Sequence, residues 1–202
     1  MKKFAAAFFG LALFCSGNAA AQTADDIKKI ENYLNGIKTM EARFVQTASN
    51  GNTAEGKFYI EKPNKIRMTL YSSAASDVYK RQTYDAPTSV LIVGDGNFIV
   101  YNDTELDQVT HIDYDDIPAS LILANDIKID GKKVKITDFY KDAGITTVTL
   151  DYREKGDIGP ITLTFGNDPF ELKQWKIVDP QSVEVTVSLY DAARDLPLDE
   201  NL

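Results

Sequence analysis

Gly56-Lys57-Phe58-Tyr59-Ile60-Glu61-Lys62-Pro63-Asn64-Lys65-Ile66-Arg67-Met68-Thr69 decides the fold class, because a period of two runs up to a turn and resumes beyond it. Phe58 and Ile60 alternate with Lys57, Tyr59 and Glu61 before Pro63-Asn64, and Ile66 and Met68 alternate with Lys65, Arg67 and Thr69 after it. Successive side chains of a strand point to opposite faces, so the two arms read as adjacent strands sharing one apolar face.

The same period extends in both directions. Upstream, Ala42, Phe44 and Gln46 alternate with Arg43, Val45 and Thr47. Downstream, residues 90–93 and 98–101 flank Gly94-Asp95-Gly96-Asn97, a strong hairpin signal. Further strands are expected over residues 134–139, 145–152, 161–165, 172–178 and 183–189, each bounded by Gly, Pro, Asn or Asp. Roughly ten strands in series make the chain mainly β with minor α and suggest an antiparallel sheet that curls.

Little is left over to cover such a sheet. Asp25 and Asp26 follow Thr23, a helix-start chemistry, and Ile27, Ile30, Leu34 and Ile37 fall on one face of a helix expected over residues 24–38. A second, short helix is expected over residues 118–124, opened by Pro118 and made apolar by Ala119, Leu121, Ile122 and Leu123. An open sheet with so few covering layers needs a plug or a ligand on its inner face. A fully packed barrel or sandwich is the alternative that periodicity leaves open.

Residues 1–21 follow the plan of a secretory signal: Lys2 and Lys3, an apolar run from Phe4 to Phe14, then Ala19-Ala20-Ala21. Cleavage after Ala21 leaves residues 22–202 as a single domain with no thiol, since Cys15 is the sole cysteine. Without Lys2 and Lys3 the chain holds 20 basic against 30 acidic residues. That balance argues against nucleic acid, which requires a positive footprint, and discourages unassisted adsorption to anionic lipid.

No G-x-S-x-G elbow, Walker-A loop, G-x-G-x-x-G turn or H-E-x-x-H pair occurs. His111 is the only histidine, and it reads as a surface residue beside Asp113, Asp115 and Asp116. The acidic runs 113–116 and 126–131 do not match a calcium loop. Neither catalytic residues nor a metal or cofactor site is therefore expected. Residues 72–82 form a polar stretch without Gly or Pro that breaks the succession of strands and resembles translated adapter sequence. It reads as a spurious insertion or as a long loop, which closure entropy tolerates.

Residue order is more telling than pattern. Phe44-Val45-Gln46, then Gly56-Lys57-Phe58-Tyr59-Ile60, then Lys62-Pro63-Asn64-Lys65-Ile66-Arg67 resemble the periplasmic outer-membrane lipoprotein carrier family, LolA. Tyr84 with Pro87, Leu91-Ile92-Val93-Gly94-Asp95-Gly96, Val100-Tyr101, and the later Pro169, Leu172, Trp175, Asp179, Val185 and Leu189 continue in that order. The resemblance implies an unclosed antiparallel β half-barrel with a helical lid over a hydrophobic cavity. It implies a periplasmic carrier, not an enzyme, that takes lipoproteins by their acyl chains from an inner-membrane ABC transporter and passes them to an outer-membrane acceptor. A monomer is expected. A periplasmic lipid-binding sensor on the same half-barrel is the second reading, and a hydrolase of envelope lipid or glycan a third without a visible nucleophile.

Alternation assigns the cavity to Phe44, Phe58, Ile60, Met68, Leu91 and Phe98, with Leu121 and Leu123 from the short helix. A register error of one residue would reverse that set. The family often carries an arginine before the proline, where it can hold the lid; here that position is Lys62, with Arg67 as a substitute. Lysine keeps the charge and loses the planar fork. Trp175 and Tyr101 are read as structural aromatics.

Overall fold

The computed structural model describes residues 18–72, 90–117, 120–152, 159–178 and 182–198. Among the described residues, eleven strands form one antiparallel sheet in the order β6-β5-β4-β3-β2-β1-β11-β10-β9-β8-β7. They are β1 (Thr39–Ala48), β2 (Thr53–Glu61), β3 (Lys65–Ser72), β4 (Val90–Asp95), β5 (Phe98–Asp103) and β6 (Gln108–Asp113), followed by β7 (Val134–Lys141), β8 (Ile145–Tyr152), β9 (Ile161–Asn167), β10 (Phe170–Val178) and β11 (Glu184–Arg194). The sheet is unclosed: β6 ends one edge and β7 the other. Helix α1 (Asn18–Gly36) precedes it, and a 3-10 turn (Tyr114–Asp116) and a short helix α2 (Ser120–Leu123) lie between its two halves.

The opening motif folds as expected. Phe58 pairs with Met68, Ile60 with Ile66 and Glu61 with Lys65 across the β2–β3 hairpin. Asn64 takes φ 58° in the connecting turn, a left-handed conformation that asparagine tolerates better than other side chains. One face of the sheet is the core: Met40, Ala42, Phe44, Phe58, Ile60, Met68 and Leu70 from one half and Val148, Leu150, Ile161, Leu163, Phe165, Leu172 and Trp175 from the other are all buried. Gly56 is required there, because a Cβ would collide with the Thr69 carbonyl oxygen and lie 2.8 Å from the Phe44 ring.

Both helices rest on this face. Ile30, Tyr33, Leu34 and Ile37 from the α1 segment, and Leu121, Ile122 and Leu123 from α2, belong to the same buried cluster as the strands. α1 is longer than its apolar stripe alone suggests, since it begins at Asn18 instead of 24 and stops at Gly36. Of the expected signal, residues 1–17 lie outside the described residues, as do 73–82 of the suspected insertion and 118–119 of the second helix. The strand before that insertion is longer than expected. Leu70, Tyr71 and Ser72 continue β3, opposite Gly56, Glu55 and Ala54.

β6 is an additional strand. Four of its six residues are exposed and only Ile112 packs against the core, so an edge position leaves little apolar periodicity to read.

Candidate functional site

The sheet's apolar face and the two helices over it form the candidate site. Phe58 lies at its centre, fully buried, with its ring edge-on to Trp175 at 5.6 Å. Tyr33 of α1 meets Phe165 and Phe170 edge-on at 5.6 and 5.8 Å, and those two rings stack at 5.0 Å. Edge-to-face geometry sets the positive ring edge against the negative ring face, which adds a little to area burial. Burial raises the pKa of the Tyr33 hydroxyl, and Arg194 lies over its ring at 4.4 Å.

Of the expected cavity residues, Phe44, Phe58, Ile60, Met68, Leu121 and Leu123 come together in this one buried cluster. Leu91 and Phe98 do not. Met68 pairs with Ile92, so Ile92 and Val90 pack on the core, while Leu91 pairs with Thr69 on the opposite face. Phe98 is 50% exposed, and its neighbour Ile99 is the buried apolar residue of β5. The cause lies in Val90-Leu91-Ile92-Val93, where four apolar residues in a row leave alternation without a phase.

Lys62 ties the helices to the sheet. Its Nζ donates to the carbonyl oxygen of Leu34 in the last turn of α1 at 2.7 Å, and to that of Ala124 just after α2 at 2.8 Å. The last carbonyls of a helix have no partner within it, and the helix dipole favours a cation there. Burial pushes the Lys62 ammonium down to about 8 from its ordinary 10.5. The neighbouring backbone adds two bonds, from Lys62 N to Lys38 O at 2.8 Å and from Asn64 N to Leu123 O at 3.1 Å.

Arg67 makes no such tie. It pairs with Tyr59 and Val93 on the other face and lines an outer groove of about 570 Å³ with Pro197 and Leu198. Strand alternation accounts for this, because Ile66 and Met68 take the core side. Tyr114, in the 3-10 turn, closes the same end of the sheet: its hydroxyl donates to the Asn64 carbonyl and sits above Gly94, and burial pushes its pKa up to about 12.

Several contacts here were not expected from sequence. Asn35 exchanges two hydrogen bonds with the backbone of Ile127, at 2.9 and 2.8 Å, and Glu31 accepts from Ile129 N at 2.6 Å. Asp26 pairs with Lys141 of β7 at 2.6 Å. Only Asp26 left a local signal, as it stands four residues before Ile30 in the inward stripe of the helix. Among the described residues no group of three or more His, Cys, Asp or Glu side chains could hold a metal, and no helix is long and apolar enough to cross a membrane.

The family model described as "Outer membrane lipoprotein carrier protein LolA" matches residues 35–78 and 80–202. An uncharacterised protein of Rickettsia prowazekii is 24% identical over 183 residues, which is 90% of this chain and 78% of that protein. An outer-membrane lipoprotein carrier protein of Nitrosomonas europaea is 33% identical over 92 residues, 43% of this chain and 38% of the relative. Among solved structures, a DUF1329 family protein from Desulfovibrio piger superposes with a TM-score of 0.50 at 8% identity, covering 89% of this chain and 95% of that one. That last likeness is one of fold.

Proposed function

This chain belongs to the outer-membrane lipoprotein carrier protein family, LolA, and on that premise we propose that it is a periplasmic carrier of lipoproteins, shielding their acyl chains between the sheet and the two helices. In this reading it is secreted through residues 1–21, works as a monomer, receives cargo from an inner-membrane ABC transporter and yields it to an outer-membrane acceptor. It performs no catalysis.

The observation that carries the reading is a broad apolar sheet face covered by helices that one half-buried lysine holds at their carbonyl ends. Each methylene moved out of water gains about 0.8 kcal/mol, so a lipoprotein acyl chain stands to gain on the order of 10 kcal/mol from such a surface. Displacing the helices costs something of the same kind, since each buried Leu or Ile side chain loses about 1.5–3 kcal/mol on exposure. Near-balance between those terms suits a carrier, which must release what it takes up. Lys62 acts as the lid latch, and the set Phe44, Phe58, Ile60, Met68, Leu121 and Leu123 becomes the acyl-chain surface once the lid lifts.

Trp175 reports on this surface, being the only tryptophan and in contact with Phe58. Titration with a synthetic triacylated peptide is expected to shift its emission and to yield a soluble one-to-one complex on gel filtration. A folded protein whose emission stays unchanged and which elutes free of peptide would overturn the proposal.

A further inference from the structure

The polar contacts of α1 are unequal along its length. At the C-terminal end Lys62 holds the Leu34 carbonyl, and Leu34 and Ile37 are almost wholly buried. Beside it Asn35 and, one turn back, Glu31 bind Ile127 and Ile129, which join the helix to the segment after α2 and not to the sheet. Nearer the N-terminus the ties to the sheet side are the Asp26–Lys141 pair and the Lys29 ammonium, 4.2 Å from the Phe170 ring centre.

Asp26 is out of place by any packing criterion. It fills a position in the inward stripe, with Ile30, Tyr33 and Ile37, where an apolar side chain would pack. Its residue is 9% exposed, and its Oδ2 is buried with no hydrogen-bond partner among the described residues. A buried, half-satisfied carboxylate costs free energy, and replacing a buried ion pair by apolar groups is often stabilising. Lys141, on the edge strand β7, keeps a third of its side chain exposed and can follow solvent outward when the pair breaks.

Asp26 and Leu34 are eight residues apart, about 12 Å along the helix axis. The two ties therefore stand on opposite sides of the half-barrel, one on the loop between β2 and β3 and the other on β7.

We propose that the acyl chain enters and leaves on the β7 side of α1, with Asp26–Lys141 as a gate that parts before the Lys62 latch releases. This rests on the carrier reading. Asn35 and Glu31 tie α1 to the segment through Ile129, so the two move together once the gate parts.

The two halves of the gate have opposite signatures. D26L removes the buried charge and frees a lysine that reaches water. It is expected to raise the thermal midpoint and slow uptake of a triacylated peptide, followed by Trp175 fluorescence in stopped flow, about tenfold or more, the rate change for ~1.4 kcal/mol of added barrier. K141Q leaves the carboxylate buried without its cation, and is expected to lower the midpoint and speed uptake by a similar factor. A purely structural pair would move the midpoints and leave the uptake rates alone, and that result would overturn the inference. Wild-type protein that takes up no peptide at all would instead overturn the carrier reading.

Discussion

Replacing Lys62 by methionine keeps the length and the apolar stem of the side chain and removes its two hydrogen bonds. Bonds from an ammonium to carbonyl oxygens at 2.7 and 2.8 Å are worth about 1.5–3 kcal/mol each. Burial of the charge opposes them, as the fall of the Lys62 pKa to about 8 records. A net loss of about 2 kcal/mol from the closed lid is a reasonable balance, and it corresponds to about a 30-fold shift toward the open form. Because only the open form accepts cargo in this account, apparent affinity for a triacylated peptide rises by up to that factor, and transfer to an acceptor slows accordingly. K62R, which keeps a donor at the same place, is expected to stay close to wild type. Amide hydrogen exchange in α1 gives an independent reading, with faster exchange in K62M. A folded K62M protein with wild-type exchange in α1 and wild-type peptide affinity would refute the reasoning.

Other substitutions separate the two faces of the sheet. F58A is expected to cost about 3–5 kcal/mol in denaturant unfolding, since the ring is fully buried against Trp175. G56V forces a side chain against the Thr69 carbonyl and the Phe44 ring, and is expected to destabilise by about 1–3 kcal/mol or more. F98S, on the exposed face, is expected to stay within about 0.5 kcal/mol of wild type and to leave peptide binding unchanged. The folded value for Lys62 lies below its ordinary 10.5, so the unfolded chain binds more protons between about pH 8 and pH 10.5. Its contribution to stability therefore rises with pH across that window, and the thermal midpoint of wild type minus that of K62M is expected to grow from pH 8 to pH 10.5.

What was legible in the chain was local. The Phe58 and Met68 arms announce their hairpin because period and turn agree, and Leu121 and Leu123 announce a helix that must lie against something apolar. Phase was lost where alternation was lost. Leu91 and Phe98 sit beside equally apolar neighbours, and it is pairing with β3, through Met68 and Ile92, that turns Ile92 inward. β6 carries little signal because an edge strand with one apolar residue against the core needs no apolar stripe. The contacts that hold the helices escaped for a different reason: Lys62 meets Ala124 and Asp26 meets Lys141 across separations of 62 and 115 residues. Nothing in the neighbourhood of one partner marks the other. Lys62 itself was visible through its place before Pro63, but its choice over Arg67 needed the strand to assign Arg67 to the outer face.

The proposed function requires lipoproteins to travel on this chain in a soluble complex. Its most direct test is release of lipoproteins from spheroplasts by purified residues 22–202, with the released material separated from membranes and weighed against the protein added. Soluble complexes with one lipoprotein per carrier are expected, formed more readily than any lost spontaneously. A folded protein that binds acyl chains and still leaves every lipoprotein on the membrane would contradict it.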